Sequence, residues 1–168
     1  MNSNTKHILF FLKDPELSFL GGSLQTMTLE GQLLEQRISP LTDDEINDSL
    51  RFGCPLAQPT VMMKKEAFTA LGGYRTAFIY AEDYDLWLRA LDFGYKIKNI
   101  PDVLMYYRIN PSGLTQTHKQ SACIAPAIAY GAHLMRKAGR EDPLDTVDQI
   151  STKTIKIFPT YYKNKIQE

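Results

Sequence analysis

Apolar positions along the chain switch between helical and extended spacing, and the switches mark its elements. From Glu82 to Phe93, Tyr84, Trp87, Leu88 and Leu91 recur at the spacing of one helix face, and Leu86, Ala90 and Phe93 form a second stripe. A helix apolar on two sides is expected to lie sandwiched inside the domain, with Gly94 just past its C-terminus. Leu17 to Leu24 is an apolar run interrupted by Gly21-Gly22, the pattern of a buried strand approached closely by other backbone. Gln25 to Leu34 continues it into a hairpin that turns at Glu30-Gly31. Val61 to Met63 predicts a third strand, and Lys96–Ile100 and Val103–Ile109 predict two more, parted by Pro101-Asp102.

Helix signals fill the intervals. His7 to Leu12 reads as the end of a helix broken by Asp14-Pro15. Thr42-Asp43-Asp44-Glu45 has the capping-box pattern, with Ile46 and Leu50 following at helical spacing and an end near Gly53. A short helix over Lys65–Leu71 stops at Gly72-Gly73, and a long one over about Lys119–Ala138 stops at Gly139. This alternation predicts an α/β fold, a mixed sheet with flanking helices, and leaves the strand order open.

Composition narrows the functional classes. With 43% hydrophobic and 23% charged residues, the 168-residue chain is expected to fold around a core as one domain. Nineteen basic and nineteen acidic residues cancel, so no global field draws it to nucleic acid. Cys54 and Cys123 make no zinc-type spacing with the histidines and are expected to be free thiols in a reducing compartment. The run from Ile8 to Leu12 is too short for a secretory leader, and Gln120 to Met135 is too short and too polar to span a bilayer. A cytoplasmic protein is expected. After Pro143, Lys153, Lys156, Lys163 and Lys165 alternate with Ile155, Ile157, Phe158, Tyr161 and Tyr162, a basic-aromatic tail that leaves a peripheral membrane contact open.

Chemistry concentrates in Glu82-Asp83-Tyr84-Asp85, three acids in the first turn of a helix. Carboxylates there complement the helix dipole, which alone accounts for about 0.3–1 kcal/mol each. The surrounding text adds more. Gly72-Gly73-Tyr74-Arg75, Glu82-Asp83-Tyr84-Asp85-Leu86-Trp87-Leu88-Arg89 and Tyr106-Tyr107-Arg108 together resemble the latter half of family 2 glycosyltransferases. The resemblance runs from about Ile8 to Leu144, taking in Asp14-Pro15-Glu16-Leu17, Pro55 to Thr60, Ala138-Gly139-Arg140 and Asp142-Pro143-Leu144. It implies part of a GT-A (nucleotide-diphospho-sugar transferase-like) fold over 1–144, followed by the tail over 145–168.

The resemblance also implies roles. Asp83 matches the general base of inverting sugar transfer, which takes the proton of an acceptor hydroxyl as that oxygen attacks the anomeric carbon. Glu82 alongside, together with partial burial, is expected to raise the proton affinity of Asp83. Glu82, Asp85, Gly73, Tyr74 and Trp87 are expected around the acceptor, with Trp87 and Arg89 supporting the helix. If Asp85 mainly complements the helix terminus, Asp85→Asn costs less than about 1 kcal/mol.

Two departures accompany the resemblance. The family's donor half, ending in an Asp-x-Asp loop that holds Mg²⁺ or Mn²⁺ on a nucleotide diphosphate, would precede His7. Asp83-Tyr84-Asp85 does not replace it, because residues two apart on a helix point about 200° apart. Many members also carry a metal-binding His where this chain has Asn110, and His118 lies eight residues later. The chain alone is therefore expected not to transfer sugar, and to need a donor-half chain or to self-associate. The remnant of such an enzyme, binding acceptor or partner without catalysis, is the alternative reading. A glycosidase is excluded by its need for two opposed carboxyl groups, and no P-loop, GxGxxG or G-x-S-x-G elbow occurs.

Overall fold

A computed structural model describes residues 3–111 and 119–159. In chain order the elements are α1 (Ser3–Lys13), β1 (Leu17–Met27), β2 (Leu33–Arg37), α2 (Asp43–Ser49), a 3-10 turn (Gln58–Thr60), β3 (Met62–Met63), α3 (Lys65–Ala70), α4 (Glu82–Asp92), β4 (Lys96–Arg108), α5 (Lys119–Lys137) and a second 3-10 turn (Thr152–Ile157). The fold is mixed α/β. β1 is central: β2 and β3 pair antiparallel with it, and β4 runs parallel to it along its whole length.

Local signals formed as their residues dictate. The Thr42 hydroxyl accepts the Glu45 N–H, and the Glu45 carboxylate accepts the N–H groups of Thr42 and Leu41, completing the capping box of α2. The β1–β2 hairpin closes through the Thr28 N–H to the Gln32 carbonyl, with Gly31 at a left-handed φ of 93°. One expectation changes. Lys96–Ile100 and Val103–Ile109 form a single strand, because β1 pairs on both sides of Pro101-Asp102 and a register shift absorbs the interruption.

The paired glycines of β1 are sites of close approach. A Cβ on Gly21 would lie 2.5 Å from Asn99 Oδ1, and one on Gly22 would lie 2.5 Å from the Leu104 side chain. The space at Gly21 lets the buried Asn99 amide donate to the carbonyls of Pro40 (2.8 Å) and Pro55 (3.0 Å). Gly22 is held in turn by Thr60 Oγ1, which accepts its N–H, and by Ser39 Oγ, which donates to its carbonyl.

α4 lies between two apolar clusters, as its two stripes require. Tyr84 and Leu88 pack with Ala125, Ile128, Ala129 and Ala132 of α5. Leu86, Trp87 and Ala90 face the sheet beside Phe19 and Ile97. Trp87 thus belongs to the second stripe, with its ring edge-on to Phe19 at 5.4 Å, and Phe93 at the helix end is exposed. Phe158 and Leu144 are buried in the α5 cluster, and the Ile150 N–H donates to the Ala77 carbonyl, so the start of the expected tail packs on the domain. Tyr161, Tyr162, Lys163 and Lys165 lie outside the described residues. Among the described residues no helix is long and apolar enough to cross a membrane.

Candidate functional site

The first turn of α4 is entered through a backbone outlier. Ala81, the N-cap, has φ 65° and ψ 23°, the left-handed region that costs an L-residue roughly 1–2 kcal/mol. No side chain caps the helix start. Such strain persists where surrounding packing over-determines it, and it gathers at functional sites.

The three acids have different surroundings. Glu82 is half-buried. Asp83 is half-buried too, with Oδ1 accepting the Tyr84 N–H at 2.7 Å and Oδ2 3.9 Å from the Cys54 thiol. No salt bridge to Asp83 occurs among the described residues. Burial raises its pKa above the ordinary value, opposed by backbone N–H groups, the Cys54 thiol and the Arg37 charge. Burial, more than the neighbouring Glu82 charge, therefore gives Asp83 its proton affinity. The same burial, together with the Asp83 charge, pushes the Cys54 thiol up to about 12, which makes it a weak hydrogen-bond donor rather than a nucleophile.

Asp85 is 0% exposed and turned inward. Its carboxylate is 2.9 Å from Arg89 and 3.4 Å from Arg75. The ion pairs continue in sequence. Arg75 meets Asp142 at 2.7 Å, Asp142 meets Arg136 at 2.5 Å and Arg136 meets Asp92 at 2.6 Å; the His133 ring lies 2.7 Å from Asp92. Burial pushes the Asp142 carboxyl up, but Arg75, the Leu144 N–H and Arg136 outweigh it and hold its pKa below the usual value. This ladder ties α4 to α5 and to the loop after it. Asp85 is closed off from solvent, with its carboxylate engaged by Arg89 and Arg75.

Gly73, Tyr74 and Trp87 were expected near the acceptor as well. Gly73 is buried at φ 70°, a Cβ there would meet the Phe68 ring at 3.2 Å, and its carbonyl accepts Arg89 Nη2 at 2.8 Å. Tyr74 packs edge-on against Phe68 at 5.3 Å. Trp87 is wholly buried, and its Nε1 has no hydrogen-bond partner among the described residues. Of the acids, Glu82 and Asp83 remain partly accessible. Asn110 is exposed at the end of β4, and His118 lies outside the described residues.

Two residues that the sequence reading did not single out complete the site. Cys54 lies 29 positions before Asp83, and Arg37 Nη2 donates to the Cys54 carbonyl at 3.2 Å. Both line a cleft of about 220 Å³ with Ile38, Ser39, Pro40, Ser49, Phe52, Gly53 and Pro55. No local pattern announces this grouping. An exposed aromatic ahead of a glycine, Phe52-Gly53, is the one hint. No three His, Cys, Asp or Glu side chains converge on a cation site among the described residues.

No family model matches the chain. It is similar to three curated glycosyltransferases. The amylovoran biosynthesis glycosyltransferase AmsE of Erwinia amylovora is 31% identical over 103 residues, covering 61% of this chain and 38% of the relative. An uncharacterized glycosyltransferase of Haemophilus influenzae is 30% identical over 105 residues, covering 62% and 38%. The O-antigen biosynthesis glycosyltransferase WbnJ of Escherichia coli is 32% identical over 107 residues, covering 62% and 41%. The chain thus spans about two-fifths of the length of the curated relatives it matches.

Proposed function

We propose that the chain is the acceptor-side part of an inverting glycosyltransferase of the GT-A type, with Asp83 as its general base. The observation that carries this reading is a half-buried carboxyl of raised pKa, not used in any salt bridge among the described residues and placed beside a cleft. An acceptor hydroxyl is a poor nucleophile at neutral pH. In the proposed step its oxygen bonds to the anomeric carbon, its proton passes to Asp83, and the bond to the nucleoside diphosphate breaks. A raised pKa favours this task because it strengthens the pull of the carboxylate on the acceptor proton. Similarity to three glycosyltransferases supports the reaction class.

In this reading the nucleotide-sugar and its divalent ion are held by groups other than the described residues, either in a donor-binding segment or in a separate chain. No step is routed through the ion here. The test is sugar transfer by any preparation of the chain, alone or combined with a donor-binding segment, before and after Asp83→Asn. General-base catalysis contributes about 10²–10⁴-fold, so turnover is expected to fall by that order while the melting temperature holds. A variant that keeps half its turnover sinks the assignment and favours a non-catalytic, partner-binding chain.

A further inference from the structure

We propose that the cleft beside Asp83 is a subsite for a sugar that carries an anionic group, phosphate or carboxylate, with Arg37 holding the anion and Phe52 carrying the ring. The proposal rests on the reading of Asp83 as the base, because Cys54 is the wall that the cleft shares with that carboxyl.

Charge and shape lead to this occupant. Arg37 is the one charged residue in the lining, and the Asp83 carboxyl, on which its charge acts, lies outside that lining. It is exposed, and among the described residues its head donates one hydrogen bond, from Nη2 to the Cys54 carbonyl. A guanidinium carries five donors in a fixed fork, so most of them remain for a ligand, and phosphate and carboxylate match that fork. The hydroxyls of the lining are committed elsewhere: Ser39 Oγ donates to Gly22 and Ser49 Oγ to Ile46. Neither hydroxyl has a proton left to give, so the spare N–H donors among the lining side chains are those of Arg37.

Phe52 is 86% exposed, and Arg51 stands over its ring at 5.8 Å. An exposed phenyl lining the cleft is a platform for the apolar face of a sugar ring. At about 220 Å³ the cleft is smaller than the roughly 300–1,000 Å³ of sites that enclose drug-sized ligands, which suits one sugar ring rather than a whole nucleotide-sugar.

The test is an NMR titration of the full chain with glucose, glucose 1-phosphate, glucuronic acid and inorganic phosphate, following the Arg37 and Phe52 signals. Either or both charged sugars are expected to bind at least about tenfold tighter than glucose, the size of one charge-assisted hydrogen bond. Which of the two binds tighter distinguishes phosphate from carboxylate. Arg37→Gln is expected to erase the preference, and Phe52→Ala to weaken every sugar without changing their ratio. Both side chains are exposed, so the fold tolerates these changes, and a thermal melt checks that it does. Equal binding of charged and neutral sugars, a preference that survives Arg37→Gln, inorganic phosphate binding as tightly as glucose 1-phosphate, or an absence of shifts at the cleft would each overturn the subsite.

The preference needs no proton transfer, so it is expected to persist in Asp83→Asn. A preference that stands while Asp83→Asn turns over normally removes the base assignment alone. A missing preference with Asp83-dependent turnover removes the subsite alone.

Discussion

α4 separates two regions that treat neighbouring acids in opposite ways. On one side Asp85 is sealed among Arg89, Arg75 and the carbonyl-bound guanidinium contacts of the Gly73 turn. On the other side Asp83 keeps partial access to solvent, a weak thiol donor and no salt bridge among the described residues. Two positions of helix rotation, about 200°, divide a carboxylate that holds the fold from one able to exchange a proton. Burial alone does not distinguish the two. Burial raises the pKa of both carboxyls; what differs is that Asp85 is enclosed by its ion pairs to Arg89 and Arg75, whereas Asp83 keeps partial access to solvent.

The largest expected difference between the regions is catalytic. Asp83→Asn is expected to remove about 10²–10⁴-fold of turnover per folded molecule, while Asp85→Asn lowers activity only as far as it lowers the folded fraction. Initial rates normalised to folded protein by circular dichroism make the comparison. Equal specific losses in the two variants would dissolve it.

Stability should then reverse the ranking. Removing one partner of a buried pair costs about 3–5 kcal/mol, so Asp85→Asn is expected to lower the urea midpoint strongly, in place of the sub-kilocalorie cost read from the sequence. Asp83→Asn is expected to hold or raise it at neutral pH. An unshifted midpoint for Asp85→Asn would mean that the ladder is not a structural unit.

A smaller effect concerns pH. Asp83, raised in the folded chain, contributes stability below the ordinary value of 3.8 that is lost as pH rises through its folded value. Asp142, lowered by Arg75 and Arg136, contributes stability above 3.8 that is lost as pH falls through its folded value. Relative to the unsubstituted chain, Asp83→Asn should gain melting temperature with rising pH, and Asp142→Asn should show its deficit at neutral pH and lose it in acid. Parallel melting curves for both variants across pH 3 to 7 would contradict these opposite signs.

The smallest effect tests the strain at the helix entrance. Ala81→Gly relieves a left-handed L-residue but loosens the unfolded chain, for a net gain of about 0.5–1 kcal/mol. Denaturant melts resolve that size. A loss instead of a gain would show that the Ala81 methyl group packs usefully.

Local features were legible from the sequence because they are decided within a few residues. The Thr42–Glu45 capping box, the Gly31 turn and the two-sided α4 all follow from spacing. What escaped depends on distant residues. Pro101-Asp102 reads as a break until β1 is seen to pair on both sides of it. Asp85 reads as a dipole partner until Arg75, ten positions away, and Asp142, a further 67 positions on, complete its ladder. Cys54 reads as an isolated thiol, because nothing near it in sequence points to Asp83. The Asp83–Cys54–Arg37 grouping is a product of tertiary packing alone.

Asn99 holds a different kind of information. Its amide spans the carbonyls of Pro40 and Pro55, and both prolines line the cleft. One side chain of β4 thus acts as a spacer between two loops. The opening beside Asp83 is gauged by the sheet, and Gly21 is the clearance that lets the gauge sit flush. Whatever enters the cleft meets an aperture already set, so discrimination between guests can follow from their dimensions before any loop has to move.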